Sequence, residues 1–374
     1  MKFNQWTLGL AAVGAVSLAS VVRADEAKLS ALQTALSNTT ISGFVDVAAQ
    51  FNMGNQSPYS ILPSYANYKN NNIRDGFNLN ALNIAIDKPL DESKWASGYH
   101  VEINTGNNAI QGMETYQSGS WGGVTVRQAY VALRTPVGNG IDWKIGVFDG
   151  VTGYEANSGY QNPNYTYSYG YGLNPATETG IIGSYKVCNE VTVQMGLANR
   201  NMAYNNSATP LSSKDYIATV ALTAPDSWGF LKGSVLNLGT VQAFDNYGVN
   251  NYSINGTFNT PVAGLKVGLA YDKVQSLISE GADGNVYGVY ATYQATDKLS
   301  LNVRGEYVDG QNLNVFSGNG KGEEVTVTVA YNLWANVITR AEFRWDHTET
   351  GGQYSNNENN ENALLLAFNV IYKF

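Results

Sequence analysis

From Thr40 to the last residue, apolar and polar positions alternate in segments of about ten residues, the pattern of strands whose two faces meet different surroundings. The alternation is cleanest where Val325, Val327, Val329, Tyr331 and Leu333 share one face while Glu324, Thr326, Thr328 and Asn332 share the other. In the next segment Val337, Thr339, Ala341, Phe343 and Trp345 alternate with Ile338, Arg340, Glu342, Arg344 and Asp346. Only residues 25–37 read otherwise, as a short helix with Leu29, Leu32 and Leu36 on one stripe. Two-face alternation predicts strands but does not separate a soluble sandwich from a barrel in lipid.

The spacing of the segments makes that separation. About sixteen strands are expected, starting near Thr40, Phe77, Trp95, Val124, Ile141, Thr179, Val191, Tyr216, Trp228, Asn251, Leu265, Asn285, Leu299, Glu323, Ala335 and Ala363. Short turns (136–140, 188–189, 225–227, 261–264, 296–298 and 333–334) alternate with long polar connections (53–76, 105–123, 149–178, 200–215, 308–322 and 347–362). Short periplasmic turns, longer external loops and an even strand number are what an outer-membrane barrel requires. Phe368, Val370, Tyr372 and Phe374 alternate down to an aromatic C-terminal residue, and Trp95, Trp143, Trp228, Trp334 and Trp345 fall near strand ends, where an amphipathic ring suits a membrane interface. A barrel of this size leaves an aqueous channel. Segments 124–135 and 228–238 alternate poorly.

Composition agrees. Only 14% of residues are charged, against about 25% in ordinary soluble chains, yet no stretch outside the N-terminus approaches the apolar length of a membrane helix. A formal net charge of −8 disfavours nucleic acid as a partner. Lys2, the apolar run from Leu8 to Val22, and Ala24 read as an export leader over residues 1–24, followed by a short periplasmic segment at 25–39 and the barrel at 40–374. The single cysteine, Cys188, excludes an internal disulfide framework.

Several short runs resemble the OmpL-like β-barrel porin family. These are Ile41-Ser42-Gly43-Phe44-Val45-Asp46, Arg74-Asp75-Gly76-Phe77-Asn78-Leu79-Asn80, Arg127-Gln128-Ala129-Tyr130-Val131, Gly146-Val147-Phe148, Gly153-Tyr154-Glu155 and Thr179-Gly180. The resemblance spans the barrel, is best from Thr40 to about Arg200, and implies an outer-membrane channel. Family members often carry a His before the Thr-Gly pair; Glu178 stands there in this chain, so no role for such a His is carried over.

Nothing points to chemistry. Of the two histidines, His347 borders an Asn-rich connection and His100 shares a strand face with Glu102, neither beside a nucleophile motif. Two scattered His and one Cys offer no metal-ligand spacing, and the glycine-rich runs at 281–284 and 318–320 lack the residues of phosphate or calcium loops. No cofactor, metal or catalytic residue is expected.

What remains is a lumen. The alternation puts Asp46, Asp87, Glu102, Lys144, Lys186, Lys266, Asp272, Arg304, Glu306, Arg340, Glu342 and Arg344 on its lining, either as a mixed-charge field acting on solutes or as mutually paired wall groups. The longest connection, after the fifth strand, carries Asp149, Tyr154, Glu155, Tyr160, Tyr165, Tyr167, Tyr169, Tyr171 and Glu178 without Lys or Arg. Folded inward it would narrow the pore with acids and aromatic faces suited to neutral or cationic solutes; left outside it would pack on its neighbours. The expectation is a mildly cation-preferring porin in the outer membrane of a Gram-negative-type bacterium, passing small hydrophilic solutes. It would contact outer-membrane lipid, engage the barrel-assembly machinery through Phe374, and form a possible homotrimer. A structural or adhesive barrel with a plugged lumen is the alternative.

Overall fold

The computed structural model describes residues 38–53, 75–106, 124–199, 214–244, 248–277, 281–311, 320–349 and 361–374. The leader and the Leu29–Leu32–Leu36 stripe lie outside the described residues. The strands are β1 (Thr40–Asn52), β2 (Gly76–Lys88), β3 (Ser97–Thr105), β4 (Thr125–Thr135), β5 (Ile141–Asp149), β6 (Thr177–Lys186), β7 (Val191–Asn199) and β8 (Lys214–Thr223). They continue as β9 (Val235–Ala243), β10 (Val249–Asn259), β11 (Leu265–Ser276), β12 (Asp283–Gln294), β13 (Leu299–Gln311), β14 (Gly320–Trp334), β15 (Val337–Thr348) and β16 (Asn362–Lys373). Each pairs antiparallel with its chain neighbours, and β1 pairs with β16, so the sheet closes on itself and leaves no edge strand. At the seam Gly43 and Phe374 exchange both backbone hydrogen bonds at 3.0 Å.

Burial is inverted relative to a soluble protein. On β14, Val325 and Val327 are 42% and 40% exposed while Thr326 and Thr328, which alternate with them, are fully buried. The apolar face therefore points outward, toward lipid, and the polar face inward. Trp95 and Trp334 stand exposed at short-turn ends of the wall, as does Trp228.

Local departures from the expected elements have identifiable causes. The strand expected from Trp228 begins instead at Val235, because Asp226–Leu231 form a 3-10 turn and Gly233 takes a positive φ of 74°, which extends the expected three-residue turn. β15 starts at Val337 rather than Ala335, since Asn336 adopts a positive φ of 70° in the hairpin turn. The poor alternation of 124–135 is a β-bulge: Glu102 pairs with Gln128 and the next residue, Ile103, with Val126, so Arg127 is extra and both Arg127 and Gln128 face inward. A second bulge lies between β1 and β2, where Asp46 pairs with Ala81 and Val47 with Leu79, leaving Asn80 and Ala81 both buried.

Candidate functional site: a loop seated inside the barrel

The connection between β5 and β6 is held inside the barrel by its own turns and by the wall. Asn162 braces it locally, accepting from the Ala156 N–H and donating to the Ala156 carbonyl, each at 2.8 Å. Tyr169–Leu173 form one helical turn, α1, capped by Ser168, whose hydroxyl accepts from the Tyr171 N–H at 2.9 Å. The remaining free donors at its start, the N–H groups of Tyr169 and Gly170, go to the Glu306 carboxylate on β13 at 2.5 and 3.1 Å. A helix start has unsatisfied N–H groups and a partial positive charge, so a carboxylate is the fitting partner.

The same logic repeats along the wall. Glu342 on β15 accepts from the backbone N–H of Tyr165 at 2.5 Å and of Thr166 at 2.9 Å. Arginines take the loop carbonyls: Arg304 donates to Thr166 O at 2.7 Å, Arg344 to Tyr167 O at 2.7 Å, and Arg340 to Gly159 O at 3.0 Å. Glu155 turns away from the lumen to meet Arg304 at 2.8 Å, and Arg304 in turn meets Glu324 at 2.6 Å. Arg344 pairs with Asp346 at 2.7 Å, and the Tyr169 hydroxyl donates to the same carboxylate. Burial holds the Glu155 carboxyl above its usual range, an effect the Arg304 charge opposes.

The expected lining charges thus separate into groups. Arg304, Glu306, Arg340, Glu342 and Arg344 face inward and are buried beneath the loop, where they serve as its seat. Asp46 is buried at the seam, accepting from Asn80 at 2.9 Å and also from Asn369. Asp272 accepts from Asn174 of the loop at 2.7 Å. Lys266 is exposed, and Lys144 is half-buried with its ammonium 4.9 Å from the Tyr130 ring.

The loop tyrosines do not stand free in the lumen. Tyr165, Tyr167, Tyr169 and Tyr171 pack with Leu173 on inward apolar residues of β1, β11, β12, β13 and β16, among them Ala48, Val274, Val286, Val308 and Leu365. Tyr154 stacks on Tyr290 at 4.1 Å and shares a hydrogen bond with Thr257, while Tyr160 packs against Phe44 at 4.9 Å. Burial pushes the Tyr165 and Tyr171 phenols well above the usual range. Glu178, read from sequence as a pore-facing acid, is buried as well.

Across from the seat, a different cluster stays in contact with water. Arg127 donates to Glu102 at 3.0 Å and to Asp149 at 2.6 Å; His100 sits 2.9 Å from Asp87 and stacks on Tyr130 at 5.3 Å. A cavity of about 30 Å³ lies where this wall meets the loop, bordered by Asn104, Thr125, Arg127, Asn157, Tyr167 and Tyr171. The sequence alternation alone does not place Arg127 on the lumen lining. Its signal was a slip in phase, apolar at Val124 and Val126 but then at Ala129, Val131 and Leu133.

No curated protein matches this sequence. Among solved structures it is similar to Pseudomonas putida OprB, with a TM-score of 0.62 at 12% identity over 92% of this chain and 96% of that one. It is also similar to the trimer form of Vibrio cholerae OmpT, with a TM-score of 0.57 at 14% identity over 90% and 99% of the two chains. The anion-selective porin from Comamonas acidovorans gives 0.57 at 13% identity over the same shares. These likenesses share the closed barrel. The family described as "Putative beta-barrel porin-2, OmpL-like" matches residues 38–374, every strand of the barrel, and the chain belongs to that family of porins of the Gram-negative outer membrane.

Proposed function

We propose that solutes diffuse between the seated loop and the wall formed by β2 to β6, and that this passage modestly prefers cations. One observation carries the reading. The side chains of Arg127, His100, Asp149 and Asp87 keep 11%, 16%, 24% and 32% of their exposure, whereas Arg304, Glu324, Arg344 and Asp346 under the loop keep none. Water therefore reaches the first wall and not the second. In that wall the carboxylates of Asp87, Glu102 and Asp149 face His100, Arg127 and Lys144, so the preference for cations rests on the net negative charge of the chain, whose field low-dielectric walls focus.

The family and fold point to a channel rather than an enzyme. Purified protein in a planar bilayer, under a potassium chloride gradient, should show open-channel conductance with a cation-directed reversal potential. Asp149→Asn should weaken that preference, more at low salt than at high salt. An anion-directed reversal would mean that Arg127 and Lys144 dominate, and absence of conductance would favour a plugged structural barrel.

A trimer is our reading of the assembly, supported by the trimer form of OmpT. Deleting residues 25–37 tests whether that segment contributes; an unchanged oligomer mass would exclude it.

A further inference from the structure

Arg127 spends only part of its guanidinium on the protein. Its Nε donates to Glu102 at 3.0 Å and its Nη2 to Asp149 at 2.6 Å, while Nη1 is buried and has no hydrogen-bond partner among the described residues. The cavity that Arg127 borders holds a second such group. Thr177 pairs with Asp149 across β5 and β6 and is 3% exposed, and its Oγ1 also lacks a partner among the described residues. Asn104 on β3 borders the same space; its side-chain oxygen accepts from Asn83 at 2.7 Å, so its amide N–H groups are what it offers the cavity. Buried polar groups are ordinarily hydrogen-bonded, and two unmatched ones on a single cavity mark a place for a guest that brings oxygen atoms.

The loop supplies the facing border. Tyr167 and Tyr171 stack at 4.1 Å, and their hydroxyls donate to the Asn157 carbonyl and side-chain oxygens at 2.6 Å each, so both rings are fixed. Fixed aromatic rings beside a few convergent polar groups are the usual furniture of a small-molecule site. Charge narrows the class of guest. One guanidinium stands against the two carboxylates of Glu102 and Asp149, so an anionic guest meets net negative charge, while a cationic one meets the unmatched Nη1. A hydroxyl group escapes both penalties, since it accepts from Arg127 and Asn104 and also donates to Thr177 Oγ1. Size narrows it further: about 30 Å³ is room for roughly two water molecules, hence for one hydroxymethyl group or two adjacent hydroxyls.

We propose that this cavity is a binding subsite for neutral polyhydroxylated solutes, sugars or polyols, which insert one hydroxyl-bearing edge between Arg127, Thr177 and Asn104 while the rest of the molecule stays in the passage. The inference rests on the passage proposed above and names a solute class for it. Its consequence is that such solutes cross by a saturable step, because each must occupy and leave the subsite. The β4 bulge is what makes the subsite: Arg127 is the extra residue of that strand, and regular pairing would turn its guanidinium away from the cavity.

Glucose is the probe, with glucuronate as a ring of the same skeleton that carries a carboxylate. In planar bilayers made with heat-modifiable protein, glucose should reduce potassium current saturably and beyond its effect on viscosity, and glucuronate should require a higher concentration. Thr177→Val removes the hydroxyl at nearly constant shape and should raise the half-inhibiting glucose concentration about fivefold, the worth of one neutral hydrogen bond. Asn104→Ala, on a different strand, should shift it in the same direction and guards against a local collapse at Thr177. Saturation-transfer NMR of glucose with the detergent-solubilised protein reads the same contact without current, and its signal should fall in both variants. A purely viscous glucose effect, or one that neither variant moves, would mean that water alone fills the cavity and would overturn the subsite. Stronger inhibition by glucuronate would overturn the neutral class. A protein that does not conduct would overturn the channel reading, and the NMR comparison would then decide the subsite alone.

Discussion

Arg304 on β13 and Glu155 in the β5–β6 loop lie 2.8 Å apart with neither side chain reaching water. This contact ties an element to a wall nearly half the chain away, and it is one of several fully buried charge pairs beneath the loop. Removing one partner of such a pair leaves the other charge buried and unmatched, at a cost of about 3 to 5 kcal/mol. Arg304→Ala should therefore unseat the loop while the barrel stays folded, seen as retained heat-modifiability with larger, noisier single-channel current. Unaltered current would show that the Glu306, Arg340, Glu342 and Arg344 contacts hold the loop without Arg304.

Closure of the barrel depends on Gly43. A Cβ at that position would meet the Phe374 ring at 2.7 Å and the Asn83 carbonyl oxygen at 2.1 Å. Gly43→Val should lower the folded, heat-modifiable fraction in the outer membrane, and so should deletion of Phe374, which would remove the backbone pairing with Gly43 and the terminal aromatic proposed to engage the assembly machinery. Normal folded yield from both variants would mean that the seam closes through the pairs from Phe44 to Asn52 alone.

The loop tyrosines offer a spectroscopic check. Because burial raises the Tyr165, Tyr167 and Tyr171 phenols above the usual range near 10, the native loop holds them neutral. The sign follows: their burial favours the seated loop fully below that range, and the advantage fades as pH rises beyond it. Alkaline difference absorbance should show these phenols ionising only when the loop detaches. A Tyr165→Phe, Tyr167→Phe, Tyr171→Phe variant should therefore lose late-titrating signal, whereas loss of signal near pH 10 would place the rings in water.

Cys188 reports topology. It is exposed in the turn between β6 and β7, on the short-turn side. A maleimide too large for the pore should label it in opened cells and leave it untouched in intact ones. Labelling of intact cells would invert the barrel in the membrane.

Period-two alternation is a local signal, and what it determined is local: which segments are strands, which face of each meets lipid, and which connections are long. It read the outward face of β14 through Val325, Val327 and Val329 without ambiguity, because every second residue in a lipid-bounded wall must be apolar. It also put Arg304, Glu306, Arg340, Glu342 and Arg344 inside. Whether those charges meet water or protein was beyond its reach. That depended on a loop more than a hundred residues away presenting its backbone to them, as Tyr165 and Thr166 do to Glu342 and Tyr169 does to Glu306. Alternation carries no information about contacts at such separations. The bulge at Arg127 marks the intermediate case, since its slip in apolar phase was visible in the chain, but only pairing with Glu102 and Ile103 in the neighbouring strand turned that irregularity into a charged group on the lumen wall. Tertiary structure decided the site because a buried charge needs a partner and the partner's position is set by the whole barrel.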